Sequence, residues 1–77
     1  MRYRSIQNPT YQIEATEWLE GTDHPVVVNL KHGDPRGWFE NSSGWHTVQI
    51  GDWIVEGGKN EYYLVKPELF KRTYEPA

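Results

Sequence analysis

Gly51-Asp52-Trp53-Ile54-Val55-Glu56-Gly57-Gly58-Lys59-Asn60-Glu61-Tyr62-Tyr63-Leu64-Val65 is the stretch that decides the fold of this chain. Trp53-Ile54-Val55 and Glu61 to Val65 are rich in the β-branched and aromatic side chains that suit a pleated surface. Between them, Gly57-Gly58-Lys59-Asn60 supplies Gly and Asn, the residues that tolerate positive φ. The segment reads as a β-hairpin, and Gly51-Asp52 as the turn that opens it. A phosphate loop would need a longer Gly-Lys-Ser/Thr pattern opening a helix, whereas this glycine run joins two strands.

Downstream the pattern changes. Pro67 suits the first position of a helix and Glu68 favours the positive end of its dipole, while Leu69, Phe70, Thr73 and Tyr74 fall on one face. A helix of two turns is marginal alone, so it is expected to dock on the sheet through Leu69 and Phe70. Upstream, Gly37 to Phe39 and Trp45 to Ile50 flank the polar Asn41-Ser42-Ser43-Gly44, a second hairpin with Trp38 and Trp45 on opposing arms. Pro25 opens the run Val26 to Leu30, which fits a short strand covered on both faces, and His32-Gly33-Asp34-Pro35 is a loop. Earlier still, Tyr11, Ile13 and Ala15 alternate with Gln12, Glu14 and Thr16, the period of a half-buried strand running to Trp18. The expected architecture is a single domain over residues 1–77, α+β and mainly β. It is a small bent antiparallel sheet or incomplete barrel closed by a short C-terminal helix.

At 77 residues such a domain buries only roughly 60 % of the surface of its unfolded chain, so its core must be rich. Four Trp, five Tyr and two Phe meet that need, each ring removing roughly 150–250 Å² from water when buried. The chain has no Cys, which excludes disulfides and thiolate metal sites as supports. No apolar run approaches the roughly 20 residues of a membrane helix, and Met1-Arg2-Tyr3-Arg4-Ser5 lacks the apolar stretch expected of a signal peptide. A cytoplasmic protein is expected. Eight basic against eleven acidic residues give a net charge of -3, which lacks the positive field that drives non-specific nucleic-acid binding.

Two segments together carry a resemblance. Met1-Arg2-Tyr3-Arg4 leads into Ile13-Glu14-Ala15 and Trp18; Gly51-Asp52-Trp53-Ile54-Val55 leads through Glu61-Tyr62-Tyr63 to Lys66-Pro67-Glu68-Leu69-Phe70 and Thr73-Tyr74-Glu75. This pattern resembles small phage and prophage proteins that begin with a Tyr-Arg opening and a Glu-Ala strand. Those proteins close with a Gly-Asp-Trp-Ile hairpin and a Lys-Pro-Asp-Ile-Phe type of helix. Two departures are visible: Pro25 and three valines stand where such proteins often have a short helix, and Asn60 stands where they generally have Gly. The resemblance implies a phage origin, hence a host cytoplasmic setting, and a sheet with a C-terminal helix; it implies no activity.

The chemistry-bearing residues do not assemble into a catalytic motif. His24, His32 and His46 have no metal-ligand spacing, although His32 with Asp34 could offer two ligands. Ser42 and Ser43 lie near His46 without the strained turn or oxyanion hole that a nucleophile requires. No catalytic residue, metal or cofactor is expected. What remains is the surplus of aromatic rings, because exposed Trp, Tyr and Arg carry binding energy at interfaces. The candidate partner-binding residues are Trp38, Phe39, Trp45 and His46 on the Asn41-Ser42-Ser43 hairpin, and a second patch would join Arg2, Tyr3 and Arg4 to Lys71 and Arg72 if the chain ends meet. The leading expectation is a phage accessory protein that binds a host or phage protein, for instance to block a host enzyme or defence system. A homo-oligomer, a nucleic-acid-binding small barrel whose aromatics stack on bases, and a virion component are the competing readings.

Overall fold

The computed structural model describes residues 1–29, 34–58 and 61–77. The expectations made for Leu30, for the His32-Gly33 loop and for Lys59-Asn60 at the second hairpin tip lie outside the described residues. Among the described residues, eight strands and one helix follow in the order β1 (Arg2–Ser5), β2 (Gln12–Glu17), β3 (Val28–Asn29), β4 (Gly37–Asn41), β5 (Gly44–Val48), β6 (Trp53–Gly58), β7 (Glu61–Val65), α1 (Pro67–Thr73) and β8 (Tyr74–Pro76). The class is the expected one, α+β and mainly β with a short C-terminal helix. The strands divide between two antiparallel sheets, β7-β6-β2-β1-β8 and β3-β4-β5, neither closed into a barrel.

Alternation along β6 explains the layering. Trp53 and Val55 point to one side of the five-stranded sheet and Ile54 to the other, as the period of two requires. On the first side Val55 joins Ile13, Ala15, Val65 and Phe70 of α1, with Tyr3, Trp53, Tyr63 and Tyr74 packed around them. On the second side Ile54 joins Trp18, Val27, Phe39 and Val48, with Val26, Tyr62 and Leu64 alongside. The five-stranded sheet is thus covered by α1 on one face and by the three-stranded sheet on the other. Trp53 and Phe70 stack with centroids 3.9 Å apart and planes 2° apart, and Tyr3 meets both rings edge-on at 5.2 and 5.1 Å.

The junction of the two sheets is built by Trp18 and the Gly51-Asp52 turn. Trp18 N–H donates to the Asp52 carbonyl at 2.8 Å, Gly51 N–H donates back to the Trp18 carbonyl at 2.7 Å, and the Trp18 indole N–H donates to the Pro35 carbonyl at 2.7 Å. Gly51 has φ +94°, a conformation that favours glycine. The buried Asp52 carboxylate accepts the Gln49 N–H at 3.1 Å and the Lys66 ammonium at 3.3 Å, fixing the residue that precedes α1. The Gly-Asp-Trp and Lys-Pro motifs therefore hold one another in place.

Several expectations need correction. The run opened by Pro25 is not a strand covered on both faces: among its described residues only Val28–Asn29 pair, at the sheet edge, and of the three valines Val27 alone is in the core. Leu69 does not dock α1; it is 53 % exposed, and Phe70 is the buried residue of the helix. Tyr11 lies before β2 and is exposed, so it does not share the inward face of Ile13 and Ala15. Both chain ends are strands, and β1 and β8 pair antiparallel with Arg4 opposite Glu75. Among the described residues no helix is long and apolar enough to cross a membrane.

Candidate functional site

The three-stranded sheet has an inner face that packs on the five-stranded sheet and an outer face turned to solvent. Along β4, Gly37 and Phe39 point inward and are buried, while Trp38 and Glu40 point outward and are exposed. Gly37 is required by this packing: a Cβ there would run into Val27 Cγ1 and press on Trp18 at 3.2 Å. Register then assembles the outer face. Trp38 stands opposite Val28 on one side and Thr47 on the other, and Trp45 stands opposite Glu40.

Trp38 and Trp45 are diagonal neighbours across the β4–β5 pair, within the reach of large side chains. Their ring centroids are 6.4 Å apart with planes at 75°, an edge-to-face arrangement that leaves a notch between the indoles. Trp45 is 59 % exposed, Trp38 37 % and Val28 61 %, and with Asn29 they line a shallow apolar groove of about 510 Å³. A second, polar cleft of about 440 Å³ lies between the hairpin tip and the start of β7. Its walls are Glu40, Asn41, Ser42, Ser43, Glu61, Tyr62 and Tyr63. Glu40 relates the two: it lines the cleft and is the cross-strand neighbour of Trp45, which lines the groove.

The four residues singled out from the sequence are divided by the sheet. Trp38 and Trp45 share the outer face; Phe39 and His46, opposite one another in register, share the inner one. Phe39 is 1 % exposed and belongs to the core. Half-buried His46 lies against it with centroids 5.5 Å apart and planes at 33°. His46 Nε2 is 3.0 Å from both Ser43 Oγ and Asn41 Oδ1, Ser43 Oγ donates to Asn41 Oδ1 at 2.8 Å, and Asn41 Nδ2 donates to the Tyr62 carbonyl at 3.1 Å. The serine proton is thus committed to an amide oxygen, and that oxygen shares the same ring nitrogen instead of orienting the imidazole from Nδ1 as a triad would. These bonds brace the hairpin tip and tie it to β7.

Of the second patch foreseen from the sequence, the β1 arginines are held by carboxylates, while the chain ends meet through the β1–β8 pairing. Arg4 Nε lies 2.7 Å from Glu75, Arg2 Nε lies 3.2 Å from Glu14, and the Tyr3 ring packs on the first core. Lys71 and Arg72 are exposed in the last turn of α1. Among the described residues no three His, Asp or Glu side chains gather as a metal site; His32 lies outside them. Near the second core, His24 Nδ1 accepts the Val26 N–H at 3.2 Å and its ring meets Tyr62 edge-on. Burial lowers its pKa from the usual histidine value, opposed by the charges of Glu56 and Asp23.

Sequence reasoning missed Val28, Glu40 and Glu61. The signal for Glu40 was present, since the i, i+2 spacing from Trp38 puts both on one face once β4 is a strand. Fold and site together define a small mainly-β domain of two stacked antiparallel sheets with an exposed tryptophan pair. Compared with known protein families, with curated proteins and with solved structures, the chain matches none.

Proposed function

We propose that this chain is a binding module that docks a partner protein on the outer face of β3-β4-β5. The observation that carries this reading is the Trp38–Trp45 pair. Two indoles, one more than half exposed, sit on a sheet whose other face already supplies a buried core. Leaving tryptophan in water gains the fold little, and exposed Trp is the residue type most enriched among interface hot spots. The closing Gly-Asp-Trp and Lys-Pro motifs support a phage or prophage setting, and with it an accessory protein acting on a host or phage protein in the host cytoplasm. Nucleic acid is disfavoured by the net charge of -3 and by the carboxylates that hold Arg2 and Arg4.

The test is affinity capture from a bacterial host lysate with wild-type protein and with a Trp38→Ala/Trp45→Ala variant of unchanged circular dichroism, followed by reconstitution with the purified candidate. Support is a partner that binds wild type directly and loses at least tenfold in affinity for the variant. Equal binding by both forms overturns the reading, as does sedimentation that shows the groove consumed in a homo-oligomer.

A further inference from the structure

Resting on the docking reading above, we propose that the occupant of the outer face is a short extended segment of the partner, carrying proline at the tryptophan notch and an Arg or Lys at the Glu40–Glu61 cleft. Area is the first argument. Two Trp and one Val at these exposures offer about 300 Å² of apolar surface. A stable interface between folded proteins takes about 800 Å² from each side, of which a little over half, or about 450 Å², is apolar, so a patch of about 300 Å² suits a peptide segment better than a second copy of this chain.

Shape is the second argument. Two indoles at 75° form an aromatic notch whose remaining lining is Val28 and Asn29 of β3. Aromatic-lined grooves of this kind take proline-rich segments because the polyproline II backbone is extended before it binds and loses little entropy on docking. The rigid pyrrolidine presents a compact apolar ring to the indole faces.

Charge is the third. Glu40 stands opposite Trp45 on the outer face, and Glu61 stands with it in the lining of the polar cleft. Both are exposed. Tyr62, Asn41 and Ser43 add polar atoms there, although the Tyr62 hydroxyl donates to Glu56 at 3.1 Å. Two carboxylates beside an aromatic notch complement a cation next to an apolar residue and repel an acidic ligand. An anionic nucleic acid strand fits the stacking surface but not this charge.

The test passes a mixture of randomised nonapeptides over immobilised wild-type, Trp45→Ala and Glu40→Lys proteins, with retained pools sequenced. Both variants are surface substitutions, checked for unchanged thermal melting. The wild-type pool is expected to be enriched at least threefold in proline and in Arg plus Lys. Glu40→Lys keeps the proline enrichment and loses the basic one; Trp45→Ala loses both. A wild-type pool with no proline enrichment, or a basic enrichment that survives Glu40→Lys, overturns the proposal. So does retention of a single-stranded oligodeoxynucleotide at physiological salt in preference to the peptides. If these fail while a purified partner still discriminates wild type from the double tryptophan variant, the docking face stands and only the peptide occupant is refuted.

Discussion

Replacing Phe70 by alanine tests how far one helix residue holds the first core. Phe70 is 3 % exposed, stacks on Trp53 at 3.9 Å and is met by Tyr3 at 5.1 Å and Tyr74 at 5.2 Å. Truncating a buried Phe costs about 3–5 kcal/mol, and a domain of this length has only roughly 4–12 kcal/mol of stability in all. The upper part of the range is expected, because Phe70 is the only buried residue of α1 and the ring contacts of about 0.5–1.5 kcal/mol each are lost with it. Phe70→Leu keeps most of the volume and loses mainly the ring geometry, so about 1–2 kcal/mol is expected. Urea unfolding at 25 °C, followed by circular dichroism, measures both: with a slope near 1 kcal/mol per molar, Phe70→Ala lowers the midpoint by about 4–5 M or leaves the chain unfolded in water. A loss below about 1.5 kcal/mol for Phe70→Ala would refute the claim that this ring anchors the helix.

Other perturbations have equally definite outcomes. Trp45→Ala, removing a largely exposed ring, should cost less than about 1 kcal/mol by the same urea assay. Asp52→Ala leaves the Gln49 N–H without its carboxylate acceptor and should cost about 1–3 kcal/mol, whereas Lys66→Met, at the exposed end of the pair, should cost less than about 1 kcal/mol. Because burial lowers the pKa of His24, the unfolded chain binds its proton first. Stability should therefore be full above pH about 6.5 and fall as pH drops through the lowered folded value, a loss that His24→Gln reduces in denaturant titrations between pH 7.5 and 5. Burial raises the pKa of Tyr63, aided by its hydrogen bond with Tyr74, so its contribution is present below pH about 10 and lost at higher pH; Tyr63→Phe should blunt alkaline unfolding.

The parts of the fold that were legible in the sequence are those whose signals are local. Alternation and glycine placement marked the β4–β5 and β6–β7 hairpins, and Pro67-Glu68 marked the start of α1. Strands β1 and β8 were not legible because each is short and polar, and β8 is added at the sheet edge by pairing with β1, about 70 residues away. Leu69 and Phe70 are adjacent on a seven-residue helix, and which one faces the sheet is settled by packing rather than by periodicity. The same limit applied to the candidate site. Trp38 and Phe39 are neighbours on β4, so a strand must send them to opposite faces, but composition could not say which face the second sheet would cover. Val28 was missed for a related reason: its β-branched run suggests burial, yet β3 is an edge with one side uncovered.

The docking face is tested most directly by hydroxyl-radical footprinting of the protein alone and bound to its captured, purified partner. Trp45, Trp38 and Val28 should react readily in the free protein and be protected several-fold in the complex, while exposed Leu69 and Tyr11 on other surfaces react unchanged. Protection of Leu69 or Tyr11 with Trp38 and Trp45 as reactive as before would place the partner elsewhere and contradict the assignment of the tryptophan pair.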